Sequence, residues 1–429
     1  MRRGVGSAAA VLCGTFLLAF REAPRAPAFV YAAAARFDAD AWACGQERFP
    51  RGAAIRVVTP DGSRALAPGF FASADPEVSF DGRRVLFAAK PRPQDRWQIW
   101  ETPADGGEPH RVAAWPEDTI RPLYLPDDRI VYARKGADGY RIETLPITGS
   151  EPLRLTYAPG NFLTCDVLHD GRVLYETGGD LYTVYPDGSG VEAYRCQHGV
   201  TRHAGRQLAS RDVVFATNRG FARFTSASAV QTDAVMPRNG QFAGPVAEIS
   251  PDEWLASFRP SGSSAYSIYA VTLSDGSLAK LAQAAGVEPM LLAPRETPLR
   301  FPSGLHDWPG ANVLCLNAYT SKTKIAPGTV SSVRLYSQNG GTPQLLGETA
   351  VENDGSFFLH VPGDRPLRIE LRSRLGAVIA AEHNWFWMRS GEQRVCVGCH
   401  AGPERAPENA VPKVLLRKDV PVPMLGKKQ

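Results

Sequence analysis

The sequence predicts an all-β protein: a six-bladed β-propeller, then a small β-sandwich, then a short C-terminal segment built around a Cys-x-x-Cys-His. Three observations predict it. A turn leading into a strand recurs roughly every forty residues, a second turn recurs half a period out of phase, and after about Leu305 short strands follow at closer spacing. With 44% hydrophobic and 21% charged residues the 429-residue chain is composed like a soluble globular protein, and its 40 Gly and 35 Pro favour turns over long helices.

In chain order the first element is a leader. "MRRGVGSAAAVLCGTFLLAF" places two arginines before an apolar run of about a dozen residues, too short to span a bilayer comfortably. Small-residue cleavage sites follow at 26–28 (APA) and 32–35 (AAAA), so residues 1–35 are assigned as a signal peptide, with an uncleaved anchor as the alternative. A periplasmic or otherwise extracytoplasmic location is expected, with no integral membrane span after cleavage. The formal charge of +4 falls to about +1 without the leader, no basic stripe remains, and nucleic-acid binding is excluded.

The propeller is expected over residues 44–304. Its first turn reads "SFDGRRVLFAA", "LPDDRIVYAR", "LHDGRVLYE", "ASRDVVFAT" and "SPDEWLASF", with Asp81, Asp127, Asp170, Ser210 and Asp252 separated by 46, 43, 40 and 42 residues. The second turn falls at Asp61, Asp105, Thr148, Asp187 and Asp275, with gaps of 44, 43, 39 and 88, the last being two periods across a degenerate copy near Thr232. Asp-Gly between alternating apolar runs suits tight hairpin turns, because glycine takes positive φ without a side-chain penalty. Six units follow, and residues from about 50 to 75 are expected to supply strands to the sixth blade and close the ring, which removes exposed sheet edges. A large β-sandwich assembly is the competing fold. His110, His169, His198, His203 and His306 are scattered without metal-ligand spacing, and a lone Asp-Gly lacks the oxygen series a calcium loop needs.

Residues 305–390 contain about six short strands between Gly, Pro and Asn turns, read as a small antiparallel sandwich. Residues 391–429 hold "CVGCH" and a Pro-rich tail expected to be irregular. The spacing of Cys396, Cys399 and His400 lets two thiols form thioethers to one haem while the adjacent histidine binds its iron, giving one covalent haem c. Zinc would need further ligands, and a redox dithiol would need a βαβ setting that is absent. The distal ligand is left open: Met424, in "VPVPMLG", is one candidate, Met388 and His383 are alternatives, and five-coordinate iron is the remaining one. Trp385, Phe386 and Trp387 either shield a haem face or belong to the sandwich core.

Seven cysteines become six once Cys13 leaves with the leader. For those outside the motif, pairings Cys44–Cys315 and Cys165–Cys196 are expected, with buried free thiols the equal alternative.

The Asp-Gly blades resemble those of Tol-type periplasmic propellers. "VENDGSFFLHVPGDRPLRIELRS…WFWMRSGEQRVCVGCHAGPERAPENAVP" resembles the haem-bearing middle domain of the hydrazine synthase alpha subunit and its relatives, closely from about 310 to 412 and loosely across the propeller. That resemblance implies that Cys396 and Cys399 attach haem c, with His400 near or on the iron. The family has a tyrosine shortly after the motif and a further haem domain. Here Ala401 to Glu404 follow the motif, no tyrosine occurs after Tyr336, and there is no second motif. The resemblance therefore extends to architecture and not to those elements.

Three function classes remain on these observations. The first is an exported monohaem cytochrome passing electrons to or from a redox partner protein. The second is a haem enzyme, or another subunit of a haem complex, of the hydrazine synthase alpha type, acting on small nitrogen or oxygen species. The third is a non-redox envelope propeller that binds peptide or glycan.

Overall fold

The computed structural model describes residues 27–39, 41, 46–148, 151–195, 199–228, 230–321, 324–339, 341–399 and 408–426. Within them the forty-residue units fold as six four-stranded sheets. Blade 1 consists of Ala72–Val78, Arg84–Lys90, Gln98–Pro103 and His110–Arg111, antiparallel and innermost first. The innermost strands of successive blades touch in turn, and the sixth returns to the first. The first sequence turn joins the inner pair of five blades and the second joins outer pairs, which explains the half-period offset. In blade 1 the Asp81 carboxylate accepts the Arg83 N–H at 3.0 Å, and Gly82 follows at φ 76°.

Closure begins earlier in the chain than the sequence indicated. The sixth sheet orders Gly286–Leu291, Phe29–Ala33, Ala54–Thr59 and Gly62–Ala65, so one C-terminal strand meets three N-terminal ones. The strands at 54–65 lie where expected, but Phe29–Ala33 falls inside the segment assigned as leader. Its side chains from Phe29 to Ala32 are almost wholly buried. The propeller therefore starts at Phe29 rather than at 44, and ends at Leu291.

Each innermost strand carries an irregularity at the same level. Asp75, Arg121, Cys165, Ala204, Gly244 and Glu288 lie at register shifts facing the central channel, and four of them precede proline. Asp75, Arg121, Ala204 and Glu288 have φ between 49° and 59°. The bulges re-aim these side chains inward at one level of the ring.

After Leu291 the chain crosses the face of the propeller that carries the inner-pair turns, as a strap. Arg295 N–H bonds to Phe80 O and Leu299 N–H to His169 O, while Phe301 stacks on Tyr185 at 3.7 Å. The turn glycines allow this close passage, since a Cβ on Gly82 would lie 2.9 Å from Pro294 N.

The strap leads to a sandwich of two four-stranded sheets. One orders Gln393–Cys396, Ala311–Cys315, Phe357–Val361 and Val422–Pro423; the other orders Thr342–Ala350, Ser332–Asn339, Leu367–Arg372 and Val378–Ala381. The tail is not irregular as expected, because Lys413–Leu416 forms a 3₁₀ turn and Val422–Pro423 becomes an edge strand. The sandwich thus extends through the motif and the tail instead of ending at 390. Among the described residues no helix is long and apolar enough to cross a membrane.

Candidate functional site

Three thiols converge at one edge of the sandwich. Gln393–Cys396 runs parallel to Ala311–Cys315 with Cys396 opposite Cys315, and Leu316 N–H donates to Cys396 O at 2.9 Å. The turn after Cys396 folds back on residues 317–320. A Cβ on Gly398 would sit 2.7 Å from Asn317 O and closer still to Thr320 O. That turn brings Cys399 against the apolar cluster that holds Cys315. Cys315 is buried, whereas Cys396 and Cys399 are half-buried. The neighbouring Cys399 thiol, together with burial, pushes the Cys315 thiol well up, and burial pushes Cys396 up. His400 lies outside the described residues.

Because backbone oxygens leave no room at Gly398, Gly398→Ala must displace the turn. A loss of about 1–3 kcal/mol is expected, read as a lower urea midpoint of the sandwich.

The structure does not bring the tail's candidate distal ligand to these thiols. Met424 follows the opposite edge strand of the same sheet, three strand spacings or about 14 Å from Cys396. It is buried, its sulfur lies against Gly347, and its N–H donates to His360 O at 2.8 Å. Apolar packing in the sandwich core surrounds that methionine. Met388 is likewise in the sandwich core, and His383 is exposed.

The aromatic trio joins the domains. Phe386 packs into the sandwich, while Trp387 meets Phe162 edge-on at 5.7 Å, at the start of blade 3 (Leu163–Val167, Val173–Thr177, Asp180–Val184 and Glu192–Ala193), and its indole N–H reaches Gly188 O at 3.4 Å. Beside it Arg389 donates to Arg154 O at 2.9 Å and to Tyr157 Oη at 2.6 Å. Glu392 takes the Gly190 N–H from blade 3 and the Arg394 guanidinium from the thiol-bearing strand. The thiols are therefore fixed relative to the propeller through Glu392 and Trp387.

Cys315 is the site residue that the sequence did not connect with the motif. It lies beside the motif inside the sandwich as a buried free thiol, one of the two alternatives expected for it, and Cys165 in the propeller is likewise a buried free thiol; Cys44 and Cys196 lie outside the described residues. A signal was present, since "NVLC" and "QRVC" are two short strands that each end in cysteine.

A second locus is a cavity of about 370 Å³ in the channel, with Asp75, Glu77, Arg121, Glu176, Arg206 and Glu288 in its wall. Arg48 bridges Asp75 at 2.8 Å and Glu288 at 3.0 Å, and Arg206 bridges Glu77 and Asp166. Burial would raise Glu176, but Arg121 at 2.9 Å and His203 outweigh it and hold its carboxyl at about 2. Burial pushes Glu77 and Glu288 up despite their arginines. Cys165, on the channel wall, is a buried thiol. Among the described residues no group of three or more His, Cys, Asp or Glu is arranged to hold a metal ion.

Residues 318–401 match the hydrazine synthase alpha subunit middle domain. The resemblance read from the sequence is borne out there. The whole architecture is similar to hydrazine synthase of Kuenenia stuttgartiensis at TM-score 0.78 and 14% identity, covering 92% of this chain and 72% of that one. TolB from Acinetobacter baumannii is similar at TM-score 0.49 and 12% identity, covering 62% and 67%. No curated protein matches the sequence. The middle-domain match contains Cys396 and Cys399, while the match to the solved structure extends the shared fold across the propeller.

Proposed function

We propose that this chain is a haem-bearing enzyme subunit of the hydrazine synthase alpha type, holding one haem c at Cys396 and Cys399 with His400 beside the iron. The observation that carries the reading is the placement of two half-buried thiols at a strand end and its following turn, inside a domain that matches the alpha subunit's middle domain. The thiols fit the group. They are spaced by a turn packed against backbone too closely for any residue but glycine, which fixes their separation. When bound, the haem supplies a redox-active iron at which a small nitrogen or oxygen species can bind.

The protein's part is positioning. Gly398 sets the turn, Glu392 and Arg394 hold the strand, and Trp387 couples it to the propeller, whose remaining surface suits contact with other subunits of a haem complex. Relay by a permanently six-coordinate haem is less well supported, because Met388 and Met424 are both committed to the sandwich core. Export follows with cleavage at residues 26–28, since cleavage at 32–35 would remove a buried strand of blade 6.

The test is a pyridine haemochrome spectrum of protein produced with the c-type maturation machinery, alongside Cys396→Ser/Cys399→Ser. A c-type band is expected in the native chain and complete loss in the variant, with carbon monoxide binding to the ferrous native form. No covalent haem overturns the reading. A low-spin haem that excludes carbon monoxide restores the electron-transfer cytochrome.

A further inference from the structure

The thioether chemistry proposed above uses two of the three converging thiols and leaves Cys315 unexplained. Cys315 sits at the end of its strand directly opposite Cys396, on the neighbouring parallel strand about 4.8 Å away. Cys399 follows Cys396 by one tight turn and packs against the same apolar cluster that holds Cys315. The motif's turn is held against 317–320 by the tight contacts at Gly398, so Cys399 is pinned beside Cys315 and does not visit it by chance. In a chain expected to be exported, such a pair is set to oxidise.

We propose that Cys315 is a redox partner of Cys399: in the haem-free protein the two form a reversible disulfide that withholds one thioether sulfur until it is reduced. This inference rests on the haem reading for its consequence, but the disulfide itself does not. Exposure sets the order of the chemistry. The half-buried Cys399 attacks a disulfide oxidant first, as its thiolate, and displaces one thiolate of that oxidant. Buried Cys315 then attacks the mixed disulfide at Cys399 and displaces nothing but the second half of the oxidant. Two cysteine thiols lose two electrons and two protons, and one disulfide is reduced to two thiols. In the exported setting the oxidant is a protein disulfide; in the test it is oxidised glutathione. Reduction by a dithiol reverses the step and frees Cys399 for a haem vinyl group. Once both thioethers exist, Cys315 remains as a buried thiol with no partner left to bridge.

The same logic separates this pairing from the motif closing on itself. A Cys396–Cys399 disulfide would need no third thiol, so it would form equally in a chain lacking Cys315. The proposed pair needs Cys315 and does not need Cys396.

The experiment takes the full chain made without haem maturation, treats it with oxidised glutathione and maps disulfides by mass spectrometry of unreduced peptides. The expected product in the native chain and in Cys396→Ala is a peptide pair joined through Cys315 and Cys399. In Cys315→Ala the link is replaced by Cys396–Cys399 or by glutathione adducts. Recovery of only Cys396–Cys399, only glutathione adducts, or only free thiols from the native chain overturns the proposal. A circular-dichroism melt of each variant confirms that the mapped protein is folded. If the link forms but no haemochrome is ever obtained, the haem reading fails and the disulfide stands; a haemochrome without the link is the reverse result.

Discussion

Replacing Arg48 with methionine is expected to destabilise the propeller by about 3–5 kcal/mol, since removal of one member strands buried charges. Arg48 is almost fully buried and donates to both carboxylate oxygens of Asp75 at 2.8 Å and to Glu288 at 3.0 Å. Glu288 in turn accepts the Asp75 N–H, and Asp75 accepts the Arg121 N–H. These groups belong to the closing blade and the two blades that follow it round the ring, and Glu288 is 240 residues from Arg48. The arginine therefore ties the late inner strand to the early part of the chain at the point where the ring closes.

The same substitution should make stability depend on pH in a defined direction. Burial, with Asp75 beside it, already raises Glu288 in the presence of Arg48, and removing the cation raises it further. An acid whose folded pKa exceeds its unfolded value of about 4.3 binds protons more tightly when folded. Folded stability then falls as pH rises from the unfolded value through the folded one. The deficit of Arg48→Met should be small near pH 4.5 and grow toward pH 8, measured as urea midpoints of both proteins at each pH. Adding Asp75→Asn and Glu288→Gln should recover much of it. An equal deficit at both pH values, or no recovery in the triple variant, would show that lost packing and not stranded charge is responsible.

The Arg48 lock also shows where sequence reading reaches its end. The Asp-Gly turns were legible because a hairpin of that type leaves a local signature, and two such signatures half a period apart define the two hairpins of a blade. The bulged ring also leaves a signature, Asp75-Pro76, Arg121-Pro122, Gly244-Pro245 and Glu288-Pro289 at near-blade spacing, but it is weak because Cys165 and Ala204 occupy the same level without proline. Phe29–Ala33 was hidden for a different reason. An apolar strand that follows a leader reads as part of it, and only pairing with Gly286–Leu291, more than 250 residues away, separates the two. Long-range pairing also decided the site. Cys396 and Cys399 were found from their spacing, whereas Cys315 joins them only through a parallel strand pair, and Met424 leaves them because its strand pairs with the far edge of the sheet.

Trp387→Ala carries the second large effect, a loss of about 3–5 kcal/mol for truncating a buried tryptophan. The cost falls on the joint between domains and not on either core alone. Trp387 packs with blade 3 residues, including Phe162, although its neighbours Phe386 and Met388 point into the sandwich. Deleting the indole removes that packing and the Gly188 hydrogen bond together, leaving Arg389 and Glu392 as polar contacts at the rim of a cavity. Calorimetry is expected to resolve one unfolding transition into two, with the sandwich melting first, and limited proteolysis should cut within the strap at 292–304. Trp385→Ala should do neither, because Trp385 is only half-buried and lies over Arg368 at 5.3 Å. Covalent attachment at Cys396 and Cys399 should survive Trp387→Ala, since both thiols are ordered by the sandwich's own strands. A single unshifted transition would place the coupling in the polar contacts; loss of the haemochrome band would mean that the propeller helps to shape the thiol site as well as to hold it.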